Sequence, residues 1–260
     1  MFLPGASAIG LDYFGVQQGV SEFTTAVVYD RGGTGYSDSM TLPRGAAEVA
    51  GELRALLRAE GIDGPYVLAA HSLGGFYAHR FAQLFPDDVA GLVWLDALHH
   101  TWDDFMPPEA GLAAAQDMGP DLEQLERMVP ALRRMHAELY ADYPDGLRRQ
   151  LVETRVRRES LRAGIAERAN LIALAAELRS GPGLPDVPLI ALSAVGADSD
   201  QPMPERLRDG RIGMDAAVVR SVSRGEQRVL DDTVHHRLCF DRPDAVVRAI
   251  RDVVDRAARA

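Results

Sequence analysis

The stretch Ala-His-Ser-Leu-Gly-Gly, residues 70–75, decides the fold of this chain. It follows the apolar run Tyr66–Ala70 and precedes the helix-like segment Phe76–Leu84. A serine between small residues at the end of a buried strand is typical of a tight strand-to-helix turn. Such a turn exposes the hydroxyl and brings the next backbone N–H beside the helix N-terminus. Ser72 is therefore predicted to be a nucleophile with an oxyanion donor beside it, the simpler alternative being a helix N-cap.

Composition limits the classes of protein to consider. With 47% hydrophobic and 25% charged residues, the 260-residue chain has the composition of an ordinary globular protein. Its net charge of −10 argues against nucleic acids and anionic membranes as partners. Cys239 is the only cysteine, so no intrachain disulfide can form. The first residues lack the basic region of a signal peptide, and a cytoplasmic location is predicted.

Short apolar runs alternate along the chain with amphipathic segments of helical length. This alternation is typical of a parallel sheet covered by helices on both faces. The predicted strands are Thr24–Tyr29, Tyr66–Ala70, Gly91–Leu95, Pro188–Ala194 and Glu226–Leu230. The predicted helices flanking them are Leu11–Val20, Ala46–Glu60, Gly75–Leu84, Pro204–Val222 and Pro243–Ala258.

The alternation breaks between the third and fourth predicted strands. Residues 101–185 show helical patterns without strands, and they are bounded by Pro107-Pro108 and by the Gly/Pro-rich segment Gly181–Pro185. We therefore predict a core formed by residues 1–100 and 186–260, with a helical lid over residues 101–185.

Four motifs in chain order give the sequence a resemblance to the α/β-hydrolase superfamily. Phe2–Ala6 resembles the loop that supplies one oxyanion N–H, and Tyr29–Ser37 resembles the Asp-x-x-Gly-x-Gly-x-Ser turn of that family. Residues 70–75 resemble its nucleophile elbow, and Asp241–Val247 resembles the entry to its last helix. The resemblance implies a mostly parallel, doubly wound sheet. It also implies strands before the first loop, so N-terminal strands are expected to be missing from this chain.

The resemblance also implies a Ser-His-Asp triad. His235 is the favoured base because it lies in the loop between the last strand and the last helix, where the carboxyl ends of the strands meet; its neighbour His236 is the alternative. Asp198 is the favoured acid, because the Gly-x-Asp of residues 196–198, just past the fourth predicted strand, resembles the acid loop of that family. Asp200 and Asp96 remain open for the same role. The oxyanion donors would be the backbone N–H groups of Ala6 and Leu73.

The remaining histidines have less specific interpretations. His71 is predicted to pack under the elbow, and His79 and His136 to be structural or exposed. His99 and His100 are placed near the pocket rim. Neither the group of His99-His100 and Asp103-Asp104 nor the pair His235-His236 follows the ligand spacing of a structural metal site, and no metal is predicted.

The resulting hypothesis is a serine hydrolase that cleaves a small carboxylic ester or related acyl compound without a cofactor. A serine nucleophile disfavours epoxide hydrolases and haloalkane dehalogenases, which depend on a carboxylate. A cofactor-free lyase, a perhydrolase, a C–C hydrolase or a non-catalytic ligand-binding relative remains open. The expected partner is a small acyl substrate, with no nucleic acid and no membrane, and the sequence does not indicate the oligomeric state.

Overall fold

The computed structural model describes residues 1–117, 119–197 and 203–259. Their centre is a sheet of five parallel strands, whose spatial order is the same as their order in the chain. The strands are β1 (Phe2–Leu3), β2 (Tyr66–His71), β3 (Val89–Leu95), β4 (Leu189–Ala194) and β5 (Gly225–Leu230).

The helices that connect and cover these strands are α1 (Phe14–Ser21), α2 (Ala46–Ala59), α3 (Gly74–Leu84), α4 (Trp102–Phe105), α5 (Leu112–Asp117), α6 (Leu122–Leu139), α7 (Asp145–Arg155), α8 (Arg158–Arg168), α9 (Leu171–Arg179), α10 (Glu205–Arg220), α11 (Leu238–Asp241) and α12 (Pro243–Ala257). Short 3-10 turns occur at Gly10–Tyr13, Pro86–Asp88, Pro108–Ala110 and His235–Arg237. None of the described helices is long and apolar enough to span a membrane.

The sheet is buried on both faces, as a near-continuous apolar strand requires. In β3, Leu92 and Trp94 belong to the core beneath α2, α3 and α10, whereas Val93 and Leu95 belong to the core beneath α1 and α12. All four side chains are fully buried. Successive residues of a strand point to opposite faces, so the apolar run of β3 serves both cores. This confirms the doubly wound parallel sheet predicted from the sequence.

One predicted strand is wrong. Residues 24–29 have no regular secondary structure, although they run beside β1 and Val27 O accepts a hydrogen bond of 2.9 Å from Phe2 N. The β-branched composition of this segment is typical of a strand. Its neighbour β1 has only two residues, however, so there is too little partner backbone for a regular ladder.

The segment between β3 and β4 contains helices α4 to α9 and no strand among its described residues. Helices α5 and α9 pack together, α9 packs on α3, and α6 packs on α7 and α8. The helical character predicted for this insertion is therefore observed. Its position next to the carboxyl ends of β1 and β2 brings several of its side chains to the candidate site.

Candidate active site

The turn between β2 and α3 places Ser72 at the carboxyl end of the sheet. Ser72 has a positive φ of 52°, which is rare for a residue with a side chain and is typical of strained functional turns. A Cβ on Gly74 would lie 2.1 Å from Leu3 O, and one on Gly75 would lie 2.3 Å from Leu98 O. Only glycines therefore allow the helix to start so close to the neighbouring backbone.

His235 connects the serine to a carboxylate. Its Nε2 lies 3.0 Å from Ser72 Oγ, and its Nδ1 lies 2.7 Å from Asp96 Oδ2. Because the carboxylate can only accept, the neutral imidazole donates its Nδ1–H to Asp96 and leaves Nε2 to accept from the serine hydroxyl. This is the arrangement that a general base beside a nucleophile requires.

Asp96 follows β3 directly and is held in an unusual conformation. Its φ is 47°, again in the left-handed region, and its side chain is buried. Burial alone would raise the pKa of Asp96, but the Arg211 guanidinium, which pairs with Oδ2, and the hydrogen bond from His235 outweigh it and lower that pKa. The carboxylate is therefore kept ionised beside the imidazole.

The structure brings together three of the residues that the sequence offered for the site. Ser72 and His235 are in contact, and the carboxylate against His235 belongs to Asp96, which the sequence left open as an alternative acid. His236 lines the same cavity. The favoured acid, Asp198, and its neighbour Asp200 lie outside the described residues.

The two predicted oxyanion donors flank the serine. Leu73 is the next residue of the elbow, and Ala6 lines the same cavity as Ser72. Among the described residues, no protein acceptor faces the backbone N–H of either residue.

A buried ion pair holds the loop that carries Ala6. Arg31 donates to the carbonyl oxygens of Pro4 and Gly5, and its Nη2 lies 2.6 Å from Glu167 Oε1. Glu167 Oε2 also accepts from Ser7 N at 2.8 Å. Burial acts to lower the pKa of Arg31, but the carboxylate of Glu167 outweighs it and raises that pKa. Helix α8 of the insertion therefore fixes the loop that carries Ala6.

A second chain of hydrogen bonds joins this loop to the histidine loop. Gly5 N donates to Tyr13 Oη at 3.2 Å, and Tyr13 Oη lies 3.0 Å from His71 Nδ1. His71 Nε2 lies 3.1 Å from the backbone oxygen of His235 and must donate to it. Burial lowers the pKa of His71 to about 3, so this imidazole stays neutral. His71 therefore connects the two loops through hydrogen bonds, and its side chain also lines the cavity at Ser72.

A cavity of about 460 Å³ opens above Ser72 and His235. Apolar parts of its wall come from Tyr13, Met135, Leu139 and Phe240, and its polar parts include Arg155, which pairs with Asp12. This size is within the range of small-molecule sites. A second cavity of about 480 Å³ lies at the amino ends of the strands, and the described residues that line it do not include Ser72, His235 or Asp96.

Comparison with known proteins identifies the family of this chain. The sequence profile described as "Alpha/beta hydrolase family" matches residues 1–249. The chain belongs to the alpha/beta hydrolase family. A curated protein of Schizosaccharomyces pombe, described as uncharacterized, is 36% identical over 90 residues, which are 33% of this alpha/beta hydrolase and only 17% of that protein.

Solved structures show the same fold. Cfl2 from Burkholderia cenocepacia matches with a TM-score of 0.71 and 23% identity, covering 96% of this chain and 86% of that one. A thermophilic esterase from Thermogutta terrifontis matches with a TM-score of 0.63 and 20% identity, and the match covers 98% of this chain and 89% of the esterase. Est816, described as an N-acyl homoserine lactone degrading enzyme, matches with a TM-score of 0.60 and 19% identity. The match covers 96% of this chain and 91% of Est816. At these identities the similarity concerns the fold alone.

The sequence did not indicate the ion pairs that fix the loops of this site. Arg31 lies within the motif Tyr29–Ser37, but nothing in that motif indicates its partner Glu167, which is 136 residues away. Arg211 likewise reaches Asp96 across 115 residues. Only an alignment of covarying positions could have indicated such pairs.

The buried ion pair gives a prediction on stability. Glu167→Ala is expected to lower the free energy of unfolding by about 3–5 kcal/mol, because it leaves the Arg31 charge buried without its partner. Urea unfolding followed by circular dichroism measures this change. The exposed pair of Arg133 and Glu153 supplies the control, since Glu153→Ala should cost less than about 1 kcal/mol. Equal effects of the two substitutions would contradict the assignment.

Arg211 gives a prediction on pH dependence. The pKa of Asp96 is lower in the folded protein than in the unfolded chain, where it is about 3.9. Ionised Asp96 therefore stabilises the fold at pH values above about 3.9. This stabilisation is lost as the pH falls through the lower pKa of the folded protein. Arg211→Met removes the guanidinium and raises that folded pKa. The acid-unfolding midpoint should therefore move to higher pH, which a circular-dichroism titration measures. Arg208→Met, an exposed change on the same helix, should leave the midpoint in place.

Proposed function

We propose that this protein is a serine hydrolase that cleaves small carboxylic esters or related acyl compounds through an acyl-enzyme. The observation that carries the proposal is the position of His235, with Nε2 3.0 Å from Ser72 Oγ and Nδ1 2.7 Å from Asp96 Oδ2. A hydroxyl, an imidazole and a buried carboxylate in hydrogen-bonded series form the triad that acyl transfer requires. The family and the esterase of similar fold support a hydrolase.

In the first step, Ser72 Oγ attacks the carbonyl carbon of the ester while its proton moves to His235 Nε2. The imidazolium formed in this way is stabilised by Asp96, which also keeps the ring in the required tautomer. The carbonyl oxygen becomes an oxyanion and receives hydrogen bonds from the N–H groups of Leu73 and Ala6. Collapse of the intermediate releases the alcohol, which takes the proton from His235 and leaves an acyl-serine.

In the second step, water attacks the acyl-serine carbonyl carbon. His235 accepts a proton from this water and later returns it to Ser72 Oγ, so the free acid leaves and the enzyme is regenerated. Every proton moves between the substrate, water and the triad. The proposed reaction therefore needs no metal or cofactor.

We assign the triad acid to Asp96 and keep Ala6 and Leu73 as the oxyanion donors. The helical insertion is proposed to act as a lid, since Met135 and Leu139 of α6 line the cavity above the serine. The lid and the cavity volume together favour a small substrate. Because Arg155 is already paired with Asp12, a neutral acyl group suits this wall better than a charged one.

The test is hydrolysis of p-nitrophenyl esters with acyl chains from acetate to decanoate, measured as kcat/KM with the purified full-length chain. We expect hydrolysis of the series, with a maximum at short acyl chains. A folded protein that hydrolyses none of these esters would contradict the proposal. Activity that increases steadily to decanoate would retain the hydrolase and contradict the small substrate.

A further inference from the structure

Three imidazoles meet on the side of α3 that faces the loop after β3. They belong to His79 in α3 and to His99 and His100 in that loop. One ring nitrogen from each residue lies within 4.8 Å of the other two. The ring centroid of His79 lies 5.1 Å from that of His99 and 5.0 Å from that of His100. The ring centroids of His99 and His100 are 4.1 Å apart.

Three of the six ring nitrogens of this cluster lack, among the described residues, the partners that buried polar atoms normally have. The side chain of His79 is only 2% exposed, yet neither of its ring nitrogens has a hydrogen-bond partner among the described residues. His100 Nδ1 is in the same situation. Unpaired buried polar atoms are rare in folded proteins, and each calls for an explanation such as a bound ion.

The third imidazole of the cluster, that of His99, has a hydrogen bond on one of its ring nitrogens. His99 Nδ1 lies 2.7 Å from Thr101 Oγ1 and 3.4 Å from Thr101 N. With Nε2 on a metal ion, Nδ1–H would donate to this hydroxyl, an outer hydrogen bond of the kind that orients metal-bound histidines.

We propose that His79, His99 and His100 form a binding site for a transition-metal ion, with Zn²⁺ as the best fit. Three nitrogen donors without a carboxylate suit zinc and its neighbours in the periodic table, not magnesium or calcium. Tetrahedral Zn–N bonds of about 2.0–2.1 Å place ligand nitrogens about 3.4 Å apart, so the rings need only to close in slightly. A water would complete the four-coordinate shell.

The position of the cluster indicates what the metal does. Leu98 N, next to His99, donates to Ser72 O at 2.8 Å, so the loop that carries two of the ligands is bonded to the nucleophile turn. A metal ion would link this loop, which begins at Asp96, to the helix that follows Ser72. Its role is structural, and it does not depend on the proposed reaction.

Titration of the metal-free protein with Zn²⁺ in a calorimeter tests the site. We expect one ion per chain with micromolar or tighter affinity, and a rise of several degrees in the unfolding midpoint at excess Zn²⁺. His100 is half-buried, so His100→Ala should fold, which circular dichroism checks. The affinity of His100→Ala for Zn²⁺ should fall at least about 100-fold, since the loss of a residue that only hydrogen-bonds to a metal ligand already lowers metal affinity about 10–100-fold. His136→Gln removes a buried imidazole outside the cluster and should bind normally.

The candidate active site also contains two neighbouring imidazoles, because the ring centroids of His71 and His235 are 4.9 Å apart. The same titration with His235→Ala separates the two locations, and our proposal predicts unchanged stoichiometry and affinity for this variant. Absence of Zn²⁺ binding by the folded wild-type chain would overturn the proposal. So would binding that His235→Ala abolishes and His100→Ala retains. Neither result would affect the proposed ester hydrolysis, which is measured without added metal.

Discussion

Replacing Ser72 by alanine is expected to lower ester hydrolysis by about 10⁴-fold or more, while the protein stays folded. In the proposed mechanism this hydroxyl forms the acyl-enzyme, and His235 Nε2 lies 3.0 Å from it. Without this hydroxyl, the site can only activate water and stabilise the oxyanion. The measurement is kcat/KM for p-nitrophenyl acetate, with thermal unfolding as the check on folding.

The matched control for this prediction is another serine with a positive φ close to the site. Ser7 has a φ of 61°, and its backbone N–H bonds to Glu167. Ser7→Ala should retain activity within about tenfold, because the hydroxyl of Ser7 has no role in the proposed chemistry. If Ser72→Ala kept most of the wild-type activity, the nucleophile assignment would be wrong.

Asp96→Asn is expected to lower kcat by about 10⁴-fold. The amide has the same shape as the carboxylate, but it does not stabilise the imidazolium of His235. Its NH₂ group can also face Nδ1 and favour the tautomer whose Nε2 carries the proton, and such a histidine cannot accept from Ser72. The variant should bind substrate with little change in KM, since Asp96 is buried behind the ring.

Asp198→Asn is the comparison that separates the two acids considered from the sequence. We expect its kcat to remain within about tenfold of the wild type, because Asp96 already occupies His235 Nδ1 at 2.7 Å. Steady-state kinetics of both variants, measured side by side, give the answer. A large loss for Asp198→Asn together with a small loss for Asp96→Asn would reverse the assignment.

The sequence allowed the parallel sheet and the strand-to-helix turn to be predicted because local rules govern both. A buried strand needs an apolar run, and a sharp turn into α3 needs Gly74 and Gly75. The same rules failed at residues 24–29, since a strand exists only where a neighbour offers enough backbone. That neighbour is β1, and its short length is not a property of the predicted segment itself.

The acid was harder to predict because both candidate carboxylates come soon after a strand, Asp96 directly after β3 and Asp198 four residues after β4. Position alone puts Asp96 and Asp198 near the carboxyl ends of the sheet. What distinguishes Asp96 is three-dimensional, namely a φ of 47°, contact with His235 and pairing with Arg211. None of these has a signature in the neighbouring sequence.

The histidine cluster illustrates the same limit. His99 and His100 are adjacent in sequence, but two neighbouring histidines do not have the spacing of a structural metal site. The third imidazole comes from His79, which is 20 residues earlier and on a different element. It joins them because α3 packs against the loop that follows β3.

The most direct test of the catalytic account is the intact mass of the protein after treatment with a fluorophosphonate, followed by peptide mapping. This probe phosphonylates serines that are activated as nucleophiles. We predict one adduct per chain, located on Ser72, and loss of rapid labelling in His235→Ala, which removes the base 3.0 Å from the hydroxyl. A folded, unlabelled wild-type protein, or an adduct on another residue, would contradict the account.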